Sequence, residues 1–213
     1  MSGLIRPMSE ADIDRVRDIE TAAGEAFRAL DMNVIAEDPA PSAAVLDGYV
    51  EGRRAWVWTP DAPGAEVGGY LIADVVDGCA HIAQVSVHPE CAHRRIGAQL
   101  IETAADWAVS HHLAAVTLTT FRDVPWNAPY YWRLGFRPIP ENRFGAGLRE
   151  IHLDEAQAGL DAWPRVVMRR ELPRRPALVG VSRDRSDRSG RGPADRPSEH
   201  SGPPGQRPGN ATA

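Results

Sequence analysis

The stretch Gln84-Val-Ser-Val-His-Pro-Glu-Cys-Ala-His-Arg-Arg-Ile-Gly-Ala-Gln-Leu100 decides how this chain is read. A short alternating run meets a proline and two arginines and then passes into an apolar period of helical spacing, so it reads as strand, tight turn and helix start. The first turn of a helix carries backbone N–H groups with no intrahelical acceptor and sits at the positive end of the helix dipole. That suits a pyrophosphate without many cationic side chains. Arg94 and Arg95 add charge at the same end. Taken alone, the turn is equally well a capped helix packed on a strand.

Reading outward, Glu66 to Asp74 and Cys79 to His88 alternate as strands joined by a hairpin over Val75 to Gly78. The helix runs from about Arg94 to His111, with Ile96, Leu100, Ala104, Trp107 and Ala108 on one face. Ala114 to Thr120 is a strand, Trp126 to Leu134 a short helix ended by Gly135, and Phe136 to Ile139 a further strand. Arg165 to Arg170 is expected to close the sheet. Upstream, Leu4 to Arg6 is a short strand, and Ser9 caps a helix to about Arg28, phased by Ile13, Val16, Ile19 and Ala23. Residues 31–41 read as loop, Ser42 to Val50 as helix and Ala55 to Thr59 as strand. Strands and helices interleaved in this order predict an α/β domain, a mixed sheet with helices on both faces.

A chain of 213 residues, 43% apolar, supports one such domain and one active site. From Pro173 the composition turns to Pro, Gly, Ser and Arg without apolar period, so 1–172 is read as the domain and 173–213 as a disordered tail. Eight arginines against four acids give that tail +4 and leave about −9 of the total −5 on the body. The interspersed acids argue against nucleic acid as a partner of the tail. No run approaches the roughly 18 apolar residues of a membrane helix, and the start lacks a secretory core, so a cytoplasmic protein with no membrane partner is expected. Cys79 and Cys91 show no CxxC or disulfide pattern, which suits a reducing compartment. Lysine is absent and Ala, Gly and Pro are abundant, the bias of a GC-rich bacterial genome.

The run V-S-V-H-P-x-x-x-x-R-x-I-G resembles the acetyl-CoA-binding motif of the GNAT superfamily of N-acetyltransferases, over roughly residues 4 to 171. The resemblance implies a mixed, mostly antiparallel six- to seven-stranded sheet with a V-shaped split between the fourth and fifth strands. It also implies acetyl-CoA as co-substrate, with backbone of Val85, Ser86 and Val87 along the pantetheine arm. The pyrophosphate then falls to His93, Arg94, Arg95, Ile96, Gly97 and Ala98. Ala92 stands where the family has Gln or Arg, and Arg95 where it has the first Gly. Arg95 must therefore avoid a left-handed backbone or bear its cost.

A second segment, Trp126-Asn-Ala-Pro-Tyr-Tyr-Trp-Arg-Leu-Gly-Phe136, resembles the family hallmark in which an Asn precedes [FY]-Y-x-x-x-G-F. The resemblance implies Tyr131 as the acid that protonates the departing thiolate and Asn127 as a contact to the CoA arm. Val124 occupies the usual Asn position, so Asn127 matches through the shorter W-N-A-P-[FY]-Y form. An aromatic cluster packing a short helix is the plain alternative for Tyr130, Tyr131 and Trp132.

An amine acceptor must lose a proton before attack, and His81 is the leading base: the local run resembles the arylalkylamine N-acetyltransferases, which implies that it stands like one of their histidines, and its even spacing from Val85 and Val87 puts all three on one strand face. An edge-strand surface histidine is the alternative. Asp31, Glu37 and Asp38 either shape a cationic acceptor pocket or form a solvated loop. The histidines show no metal-ligand spacing, so no metal is expected. The expected function is acetyl transfer from acetyl-CoA to an amine, a small molecule foremost, by direct attack through a tetrahedral intermediate, with backbone N–H groups holding the oxyanion. The alternative is a catalytically silent acyl-CoA-binding module. Many members of the resembled family are dimers, so a homodimer is an expectation.

Overall fold

The computed structural model describes residues 3–173. The tail expected to be disordered lies outside them except for Pro173. Strand β1 (Gly3–Pro7) is followed by helix α1 (Ile13–Gly24), one-turn helix α2 (Asn33–Ala36) and helix α3 (Ala43–Glu51). Strands β2 (Ala55–Pro60), β3 (Gly69–Val76) and β4 (Cys79–Val87) lead to helix α4 (Ile96–Ser110) and strand β5 (Ala115–Phe121). Helix α5 (Ala128–Arg133), strand β6 (Arg137–Pro138), helix α6 (Ala146–Gln157) and strand β7 (Arg165–Glu171) complete the fold.

The sheet runs β1-β2-β3-β4-β5-β7-β6, antiparallel except for the parallel β4–β5 pair. Four details depart from the sequence-based expectation, the first being helix α2, which lies inside residues 31–41 read as loop. β7 does not close the sheet but lies between β5 and the two-residue edge strand β6. The first helix ends at Gly24 and continues to Leu30 as tighter 3-10 turns. Helix α6 was not expected at all; only Leu148 and Ile151 on it are buried, too few to give a helical period.

Helices α1 and α3 cover one sheet face through Ile13, Val16, Ile19, Leu46 and Tyr49, packed on Val57, Tyr70 and Ile72. Helix α6 extends that layer with Leu148 and Ile151, joined by Phe144 just before the helix, on Val76 and Val167. Helices α4 and α5 cover the other face, where Ile96, Leu100, Ile101, Ala104 and Tyr131 meet Leu71, Ile82, Val85, Val116 and Leu118. Leu100 is fully buried, so Leu100→Ala would cost roughly 2–5 kcal/mol.

Two irregularities position the site. Between β3 and β4, Ile72 pairs with Gln84 and Ala73 with Ile82, leaving Ala83 as a surplus residue, a β-bulge. Between β4 and β5 only Ala80, His81 and Ile82 find partners, in Val116, Thr117 and Leu118. The strands part immediately after the bulge, whose extra local twist turns β4 away from β5. Beyond it, β4 stays paired with β3 through Val87 and β5 with β7 through Phe121, so the V-shaped split opens between two well-held strands.

Candidate active site at the split between strands β4 and β5

Cross-strand partners share a sheet face, so the register assigns the β4 side chains. Val85 pairs with Leu71 and Val87 with Gly69, on the α4 side; Ser86 pairs with Tyr70, Gln84 with Ile72 and His81 with Asp74, on the α1 side. His81 therefore does not share a face with Val85 and Val87. The even spacing fails because Ala83 inserts one residue between them. His81 is buried in the paired part of β4, with Nδ1 3.1 Å from Thr117 Oγ1.

The turn into α4 is sharply bent. His93 (φ 62°) and Arg95 (φ 60°) both take the left-handed backbone, Arg95 as the residue that caps α4. Arg95 bears the cost rather than avoiding it, about 1–2 kcal/mol for a residue with a Cβ. The first intrahelical bond runs from Gln99 N–H to Arg95 C=O (3.1 Å), so the N–H groups of Ile96, Gly97 and Ala98 have no intrahelical acceptor. Side chains 92–95 are exposed, while Ile96 and Gly97 are buried under them. Tyr130 reaches the backbone at Ala98 through its hydroxyl, and burial raises its pKa.

Helix α5 carries the second segment. Asn127 stands at its N-cap position, fully buried, with Nδ2 donating to Thr120 Oγ1 (2.6 Å) and so fastening α5 to the end of β5. Tyr131 N–H donates to Asn127 C=O (3.0 Å), and the Tyr131 ring lies edge-on to Tyr130 and Phe136 with centroids 5.6 and 5.8 Å away. The phenol is wholly buried, and no partner for its hydroxyl lies among the described residues. Burial, and the neighbouring Tyr130, push its pKa well above the ordinary phenol value.

Sequence reasoning missed Glu20. From α1 its Oε2 accepts from Tyr70 Oη (2.7 Å) and Ser86 Oγ (2.6 Å), and its Oε1 from Gln84 Nε2 (2.7 Å). The residue is half-buried, yet its carboxyl group is turned inward against three fully buried side chains. Burial raises its pKa above the usual carboxylate range against the pull of these donors, and the charge of Asp38 raises it further. A signal was present: Glu20 follows Ile13 and Val16 at helical spacing, an acid inside an apolar stripe. Of the other acids expected around the acceptor, Glu37 pairs with Arg28 (2.9 Å) and Asp31 ends the 3-10 turn in a left-handed conformation. Among the described residues no cluster of metal-ligating side chains occurs, and no helix is long and apolar enough to cross a membrane.

Residues 18–136 match the acetyltransferase (GNAT) family. This chain belongs to the GNAT family. Its fold is shared with solved GNAT structures of low sequence identity. PaiA N-acetyltransferase from Thermoplasma acidophilum, solved with coenzyme A, is 15% identical over 80% of this chain and 99% of its own, with TM-score 0.58. The ribosomal-protein-S18-alanine N-acetyltransferase from Escherichia coli is 16% identical over 84% of this chain and 99% of its own, with TM-score 0.55. N-acetylglutamate synthase from Neisseria gonorrhoeae, solved with coenzyme A and N-acetyl-glutamate, is 15% identical over 82% of this chain but only 36% of its own, with TM-score 0.60. GNAT membership makes acyl transfer from an acyl-CoA the general chemistry here.

Proposed function

We propose that the protein moves the acetyl group of acetyl-CoA onto an amine by direct attack through a tetrahedral intermediate. The observation that carries this reading is the left-handed turn at His93 and Arg95, which leaves the N–H groups of Ile96 and Gly97 without an intrahelical acceptor beside a split between parallel strands. In this reading those groups, with Arg94, hold the pyrophosphate, and backbone of Val85, Ser86 and Val87 holds the pantetheine arm and the oxyanion. Asn127 positions α5, and Tyr131 gives its proton to the departing sulfur. A buried hydroxyl with no partner of its own among the described residues supports that role for Tyr131. The reaction needs no cysteine nucleophile.

The acceptor in this reading is a small-molecule amine. Cys79 and Cys91, both unlinked, support a reducing compartment such as the cytosol. The test is a thiol-release screen with acetyl-CoA against varied amines, paired with calorimetry of CoA binding. Thiol release with one of them establishes the enzyme, whereas tight binding of acetyl-CoA without release across the panel overturns it.

A further inference from the structure

The α1 side of the split holds a polar group that Tyr131 and the α4 turn do not use. Glu20 Oε2 accepts two hydrogen bonds, which fills it, but Oε1 accepts only the one from Gln84 among the described residues. Gln84 is fully buried, its Nε2 is spent on Glu20 and Ser86 (2.7 and 3.1 Å), and its Oε1 has no donor among the described residues. Thr119, also buried, is the first β5 residue past the last β4–β5 pair; it lies on the same face, as its neighbours Thr117 and Phe121 do, and its Oγ1 too has no partner among the described residues. Thus a carboxylate oxygen and an amide oxygen stand side by side unfilled, with a hydroxyl across the split. Acceptor-rich, with its amide and hydroxyl oxygens buried, such a group is completed by a ligand that brings N–H donors and positive charge.

We propose that Glu20, with Gln84 and Thr119, receives the acceptor as an ammonium and takes its proton, so that Glu20 is the general base of the reaction. The proposal rests on the reading of the protein as an N-acetyltransferase. One ammonium proton passes to Glu20 and from there to solvent, and the freed lone pair forms the N–C bond at the thioester carbonyl. The C–S bond then breaks with its electron pair on sulfur. Sulfur takes the proton of Tyr131, and the second nitrogen proton restores the phenol. The products are amide, free thiol and one released proton. His81 is a poorer base by position, because it lies in the paired part of β4 rather than beyond the bulge.

Three titratable or charged groups bear on this chemistry. Tyr70, from β3, stays neutral because burial pushes it up; Asp38, after α2, raises Glu20; and Glu20 itself is raised by burial first. Gln84 and Ser86, from β4, carry no charge.

The experiment uses the full chain with acetyl-CoA and three probes: phenethylamine, spermidine and an N-terminal alanyl peptide. Glu20→Gln is expected to lower kcat/KM for the accepted amine by about a hundredfold or more, to abolish the acid limb of its pH profile, and to leave CoA affinity unchanged. Asp38→Asn should move that limb to lower pH, and Glu20→Asp should retain it at reduced rate. Wild-type kcat/KM and acid limb in Glu20→Gln would overturn the proposal. If Glu20→Gln does not fold, the Asp38→Asn shift decides, an unmoved limb counting against Glu20. If the wild type releases no thiol with any probe, the N-acetyltransferase reading fails by itself. The cation site is then judged by calorimetry of the three amines on the CoA complex: binding that Glu20→Gln removes supports it, and no binding, or binding left intact, overturns it.

Discussion

The carboxylate of Asp77, in the β3–β4 hairpin, accepts the backbone N–H of Leu148 at 3.0 Å, and its other oxygen accepts that of Gly147 at the same distance. A turn seventy residues upstream thereby caps helix α6. Gly145 is tied to the same contact, since a side chain there would collide with that carboxylate. The cap makes a stability prediction. Asp77→Ala should lower unfolding free energy by about 1–2 kcal/mol in urea melts, and Asp77→Asn by less. An unchanged midpoint in the alanine variant would show that α6 is held by its apolar contacts alone.

Arg95 supplies a second prediction. Its left-handed backbone suits glycine, so Arg95→Gly should be more stable than Arg95→Ala by about 1 kcal/mol, measured by chemical denaturation. In the proposed reading backbone N–H groups hold the pyrophosphate, so both variants should bind CoA with affinities close to one another. A glycine variant that loses CoA while the alanine variant keeps it would refute the backbone account.

Tyr131 separates function from stability. Tyr131→Phe removes a buried hydroxyl that has no partner among the described residues, so the variant should be as stable as the wild type or more so, by up to ~1 kcal/mol. Its turnover should nevertheless fall about a hundredfold or more at unchanged CoA affinity. Equal kcat in the two proteins would take Tyr131 out of the chemistry.

Glu20 makes the opposite trade. Its folded-state pKa is raised, above all by burial, so its contribution to stability is complete below the unfolded carboxylate range and is lost as pH rises through the folded value. At neutral pH the wild type therefore holds this carboxylate at a cost that Glu20→Gln removes. The variant should melt above the wild type at neutral pH, and the gap should close as the buffer is taken down to about pH 4. A variant that melts lower at every pH would mark the carboxylate as a structural anchor.

These residues also show what the sequence makes legible. Helix α4 and the turn before it are local: period, proline and arginines lie within one segment, and the buried set Ile96, Leu100, Ala104 and Ala108 follows the reading. Tyr131 and Asn127 are likewise fixed by one short segment. Helix α6 is not local, because its cap comes from Asp77 and its apolar face is two residues wide. The Glu20 group joins α1 to strands fifty and more residues away, so only the acid inside the apolar stripe hints at it. The side of the sheet that His81 occupies depends on Ala83, an alanine with nothing in its chemistry to announce a bulge.

That surplus alanine makes β4 a ruler with two phases. Deleting it would leave Gln84 opposite Ile72 and Val85 opposite Leu71, each wall keeping its residues, but would straighten the strand where it parts from β5. Absorbing the alanine into a regular ladder would instead exchange the walls, turning Val85 and Val87 toward α1 and handing Gln84 and Ser86 to the greasy underside of α4. What the extra residue supplies is the bend that opens the cleft, not any chemistry of its own.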